Sequence, residues 1–179
     1  MIKTSGNIKE KILISACLIG FRVRYNGSDK ALVLDTLDRW QRENRLVVHC
    51  PELAAGLATP RLPAEIVGGS GEDVLAGRAM IVESDGSDVT QPYLLGAWLA
   101  LKTAQDAGCR FALLSDGSPT CGSQRIYDGS FSGQQHPGAG VAATLLRQHG
   151  ITVFAEHQAG ELVSHLEQLA DQRIAIRLK

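Results

Sequence analysis

Along this chain, short apolar runs bounded by turn residues alternate with longer stretches in which apolar residues recur every three or four positions. The first run, Ile12-Leu13-Ile14-Ser15, predicts a strand, and a polar loop follows through Arg24-Tyr25-Asn26-Gly27-Ser28. Leu32, Leu34, Leu37 and Trp40 predict a helix over about 31–42, and Leu46-Val47-Val48-His49 a second strand. Pro51, Pro60 and Pro63 then stand so close together that they forbid a long helix or a central strand, and an ordered loop is expected over 51–63. Residues 65–67 read as a short strand, 68–71 as a hairpin or flexible tip, and 78–83 as another strand. Thr90 is placed to cap a long helix over 91–107, with Pro92 in its first turn and Gly108 closing it. A strand at Phe111-Ala112-Leu113-Leu114, a loop to His136, a helix over 139–149, a strand over 151–154 and a helix over 160–170 complete the series.

Strands alternating with crossover helices require a sheet that is largely parallel and covered on both faces. The expected fold is therefore α/β: a three-layer domain with a Rossmann-like sheet flanked by helices. At 179 residues the chain can bury one substantial core. A single domain over 1–179 is expected, its core about 11–157, with a C-terminal helix after it. The loops over 20–30 and 115–137 are long for so compact a unit, and long loops more often carry function.

Eighteen basic and nineteen acidic residues leave a formal net charge of −1, which gives no electrostatic reason to expect strong binding to nucleic acid or a membrane surface. A small substrate suits that balance better. Neither a signal peptide nor an apolar run of about eighteen residues is present, so a soluble, cytoplasmic protein with reduced thiols is expected. Four cysteines could form two disulfides, but a chain that is 44% hydrophobic does not need such staples.

Three of those cysteines fall just beyond predicted strands: Cys17 after the first, Cys50 after the second, and Cys121 a few residues past Leu114. In a parallel sheet the carboxyl ends of the strands open on one ligand-binding crevice. Cys109 instead enters its strand from the amino end and reads as a small buried hydrophobe. Position alone leaves two readings of the other three open, a shared metal centre or unrelated thiols, and no Cys-x-x-Cys pair decides between them.

The residue strings carry more. Ala16-Cys17-Leu18-Ile19-Gly20, Arg24-Tyr25-Asn26-Gly27, Cys50-Pro51-Glu52, Pro60-Arg61-Leu62-Pro63-Ala64-Glu65-Ile66, Asp88-Val89-Thr90, Ser118-Pro119-Thr120-Cys121-Gly122 and Ile126-Tyr127-Asp128-Gly129-Ser130-Phe131-Ser132-Gly133 occur in that order. Over about 13–156 the chain resembles the DUF523 family, which includes thiouracil desulfidases. The resemblance implies a [4Fe-4S] cluster held by Cys17, Cys50 and Cys121, with one iron left open to bind the sulfur of a thiolated uracil base or nucleotide. It also implies a hydrolytic, non-redox loss of hydrogen sulfide, with Glu52 and Ser118 as the active-site pair and the cell's iron–sulfur assembly machinery as a partner. Val23, Asn26 and Ala55 depart from the family's usual cysteine, aspartate and glycine.

Arg24, Tyr25, Arg61, Tyr127, Asp128 and Ser130 are candidates to contact the substrate, Arg24 and Arg61 through a phosphate or carbonyl oxygen. His136 lies in a loop that could reach the site. His49 adjoins Cys50, but strand alternation should turn it to the other face, and no histidine is assigned to metal. The rival readings are a zinc hydrolase built on a three-cysteine site and a non-enzymatic protein that binds a cluster or carries sulfide. A lone cysteine nucleophile would need only one of the three thiols.

Overall fold

The computed structural model describes residues 9–28 and 35–178. The chain runs β1 (Ile12–Ser15), a 3-10 turn (Ala16–Ile19), α1 (Asp35–Arg42), β2 (Leu46–His49), α2 (Pro51–Ala54), β3 (Ala64–Val67), α3 (Gly71–Leu75) and β4 (Met80–Glu83). It continues through α4 (Thr90–Ala107), β5 (Phe111–Leu114), β6 (Arg125–Tyr127), β7 (Gln135–Pro137), α5 (Val141–Gln148), β8 (Thr152–Ala155) and α6 (Ala159–Arg177).

Four strands form a wholly parallel sheet in the order β2-β1-β5-β8. The chain steps outward from β1 to β2, then crosses back to β5 and on to β8. The strand order therefore reverses between β1 and β5, the place where an open α/β sheet forms its ligand crevice. Alternate side chains feed two cores. Leu13, Ala112, Leu114 and Val153 pack with Tyr93, Ala97, Leu101, Val141 and Leu146 of α4 and α5. Ile12, Ile14, Phe111 and Leu113 pack on the other face with Leu37 and Trp40 of α1 and Leu162 and Leu166 of α6. Burial on both faces explains why β1 and β5 read as unbroken apolar runs rather than as alternating ones.

Several expectations are corrected in detail. The 51–63 segment opens with the single turn α2, because Pro51 sits at its first position, where no N–H is needed. Residues 68–71 lead into α3, whose start is fixed by Asp73 accepting from the Ser70 N–H at 2.9 Å. Beside the parallel sheet stand two antiparallel pairs, β3–β4 and β6–β7, the second within the stretch read as loop. Thr90 begins α4 rather than capping it: Asp88 Oδ1 accepts the Thr90 N–H, while the Thr90 hydroxyl accepts from Ile81 N, both at 2.9 Å. Residues 31–34 of the first predicted helix lie outside the described residues, and the last helix extends to Arg177.

Candidate active site

A cavity of about 380 Å³ opens at the carboxyl ends of β1, β2 and β5. Cys17 reaches it from the 3-10 turn after β1, Cys50 from the junction of β2 and α2, and Cys121 from the loop after β5. None of the four cysteines is in a disulfide, and Cys109 is not among the residues that line the cavity.

The Cys121 thiol senses the other two. Burial pushes Cys121 up to about 12, and the neighbouring Cys50 and Cys17 sulfurs push the same way, against hydrogen bonds with the Ser15 and Ser118 side chains. Burial also raises Cys50, opposed by the Leu53 N–H and the Arg61 charge. In general a buried thiol gives up its proton when a soft metal takes the proton's place, because the covalent bond replaces the lost solvation. Among the described residues, no group of three or more His, Cys, Asp or Glu side chains is gathered to hold a single metal ion.

Glu52 lies in the only turn of α2 and lines the cavity. Its Oε2 pairs with Arg61 Nη2, and its Oε1 accepts from the Thr120 hydroxyl at 2.9 Å. Arg61 is held elsewhere as well, through its terminal nitrogens, while its buried Nε has no protein partner among the described residues. Its guanidinium donates to the Val23 and Ala58 carbonyls and to Thr59 Oγ1, and bonds the Tyr93 hydroxyl. Ser118 also lines the cavity, and its oxygen accepts the N–H groups of Thr120 at 3.1 Å and Cys121 at 2.7 Å. That leaves its own proton for an acceptor such as the Cys121 sulfur.

Arg24, Tyr25 and Tyr127 line the cavity. Arg61 stands behind Glu52 rather than on the lining. Asp128 and Ser130 are likewise absent from it: Asp128 Oδ1 accepts from the Ser130 N–H at 2.9 Å and from its hydroxyl, bracing the exposed tip between β6 and β7. The tip docks through Glu65, whose Oε1 accepts the Gly129 and Phe131 N–H groups at 3.0 and 3.3 Å. Gly129 has φ 87°, and a Cβ there would stand 2.5 Å from the Ile66 carbonyl oxygen, so only glycine fits.

His136 lies off the cavity, its Nδ1 2.9 Å from the Pro137 carbonyl. His49, expected to point away, lines the cavity together with Cys50. Both stand at the lip where β2 ends, and from there side chains on either face reach the crevice. Burial holds the His49 imidazole below its ordinary value, and its Nε2 has no protein partner among the described residues. Sequence reasoning missed Ser15, Tyr93, Asp116 and Thr120. Only Thr120 left a signal, a hydroxyl beside a cysteine in the Ser118-to-Gly122 string.

An open parallel sheet whose crevice holds two buried thiols, a half-buried third and a clamped carboxylate defines a class: α/β enzymes with a thiol-lined pocket at the carboxyl edge of the sheet. The family model of the 2-thiouracil desulfurases matches residues 12–158, and the chain belongs to that family. It is similar to the solved structure of a [4Fe-4S]-dependent thiouracil desulfidase, TudS, with a TM-score of 0.81 and 48% identity over 89% of this chain and 99% of that one. The uncharacterized protein YbbK of Bacillus subtilis (strain 168) is 45% identical over 152 residues, 85% of this chain and 99% of its own length.

Proposed function

We propose that the protein hydrolyses a thiolated uracil, as base or nucleotide, to the oxygen analogue and hydrogen sulfide, using a [4Fe-4S] cluster held by Cys17, Cys50 and Cys121. The observation that carries this reading is the convergence of Cys17, Cys50 and Cys121, drawn from three separate strand ends, on one cavity beside Glu52. The likeness to a [4Fe-4S]-dependent thiouracil desulfidase supports both the cofactor and the substrate class.

A cluster held by Cys17, Cys50 and Cys121 would supply one open iron, a soft Lewis acid suited to polarise a C=S bond.

Glu52 takes a proton from the water that attacks the thiocarbonyl carbon and returns it to the departing sulfur. Oxygen replaces sulfur at the same oxidation level, so no electron donor is required. Ser118 donates a hydrogen bond to sulfur, and Tyr25 and Tyr127 frame the pyrimidine, with Arg24 facing its oxygen or phosphate substituents. No helix of the described residues is long and apolar enough to cross a membrane. Thiols outside any disulfide suit the cytoplasm, where iron–sulfur assembly machinery would load the site.

The test is reconstitution with iron and sulfide under nitrogen, followed by sulfide release from 2- and 4-thiouracil and from the matching thiouridine nucleotides. The expected product is a brown protein with about four irons and four sulfides per chain. Cys17→Ala should lose cluster and turnover together, whereas Glu52→Gln should keep the iron and lose at least about 100-fold in kcat. Stoichiometric zinc in a colourless protein, or a loaded protein that releases no sulfide, would overturn the reading.

A further inference from the structure

We infer that Thr120 is a positioning residue for Glu52, fixing the plane of the carboxylate that moves the proton; the inference rests on the role proposed for Glu52. A glutamate carboxylate rotates almost freely about its last bond, since that torsion has broad, shallow wells. The Arg61 ion pair holds only Oε2. A second anchor on the other oxygen is needed to stop the rotation, and the Thr120 hydroxyl supplies it at 2.9 Å on Oε1.

Both anchors are themselves held by further hydrogen bonds. Thr120 is wholly buried. Its N–H donates to Ser118 Oγ, and its carbonyl accepts the N–H groups of Ala142 and Ala143 at 2.9 and 3.2 Å, which pins the residue to the start of α5. Arg61 is held by Val23, Ala58 and Thr59. Two of the carboxylate's four lone-pair sites are thereby taken, leaving one on each oxygen for a proton from the cavity. Because Thr120 precedes Cys121, the same contact ties the proton-moving group to one of the proposed cluster ligands across 68 residues of sequence. Preorganisation of this kind contributes to rate by sparing the carboxylate a search for its reactive orientation.

The experiment compares Thr120→Val, which keeps the shape and deletes the donor, with Thr120→Ser, which keeps the hydroxyl. In the cluster-loaded enzyme, Thr120→Val should lose roughly 10- to 100-fold in kcat, with KM and iron content within about twofold of the parent. Thr120→Ser should recover to within about threefold of the parent. In the unloaded chain, the urea midpoints of Thr120→Val, Glu52→Ala and the double variant should be non-additive, as direct contact requires. An unchanged kcat in Thr120→Val, a loss of iron in step with kcat, a Thr120→Ser variant as impaired as Thr120→Val, or additive midpoints would each overturn the inference. If the parent enzyme itself releases no sulfide, the desulfidase reading fails, while the urea cycle still tests the contact.

Discussion

Cys109 and Cys121 show how little a buried thiol's acidity says about its use. Burial raises Cys109 to about 11 and Cys121 to about 12, yet one sits among aliphatic side chains and the other beside two more sulfurs. At pH 8 only about one Cys109 thiol in a thousand is ionised. The folded protein treated with iodoacetamide at that pH should therefore stay unlabelled at Cys109 by mass spectrometry, and Cys109→Ser should load iron and turn over as the parent does. Asp116 shows the opposite balance. Burial would raise its carboxyl, but the N–H groups of Gln124, Arg125, Ser123 and Gly117 together hold it below its usual value. A carboxyl lowered on folding adds stability that is present above its unfolded value, near 3.9, and is lost as pH falls through the folded value. Denaturation followed from pH 7 to pH 3 should show less loss of stability on acidification in Asp116→Asn than in the parent.

At the scale of elements, the site depends on how closely α4 approaches α2. Gly96 faces Pro51, and a Cβ there would stand 2.5 Å from the Pro51 carbonyl oxygen, a contact no real side chain makes. Alanine would gain up to about 1 kcal/mol of helix propensity at that position. Overpacking against backbone costs about 1–3 kcal/mol and displaces the turn that carries Cys50 and Glu52. Gly96→Ala should thus lower both the urea midpoint and the iron bound per chain, measured side by side. The elements that sequence periodicity missed are short ones. β6 and β7 have three residues each, and of those only Ile126 is buried in the core. With so few apolar positions there is no period to read, and only the tertiary wall built by β3 and the cavity makes these strands form.

At the scale of the whole molecule, α6 closes the second face of the sheet. It begins at Ala159, directly beyond the residues matched by the family model, and its Leu162 and Leu166 complete the core around Ile12, Ile14 and Phe111. Leu162 is fully buried, and Leu162→Ala should cost about 2–5 kcal/mol of unfolding free energy in a denaturant titration. The order of the strands matters as much as their packing. Had β5 formed beyond β2 instead of beside β1, Cys121 would open on a different part of the sheet edge and the three thiols could not meet.

The alternation of fully apolar strands with helical segments was written in the local pattern, because burial on both faces imprints itself on consecutive residues. So was the location of Cys17, Cys50 and Cys121 just past strand ends, and with it their common edge of any parallel sheet. Their closeness, the withdrawal of Arg61 to the back of Glu52, the turn of His49 into the cavity and the Thr120 contact belong to the folded molecule alone. Each joins residues from separate elements, 68 positions apart in the case of Glu52 and Thr120. Periodicity governs which face a side chain takes, whereas packing between distant elements decides what that side chain meets.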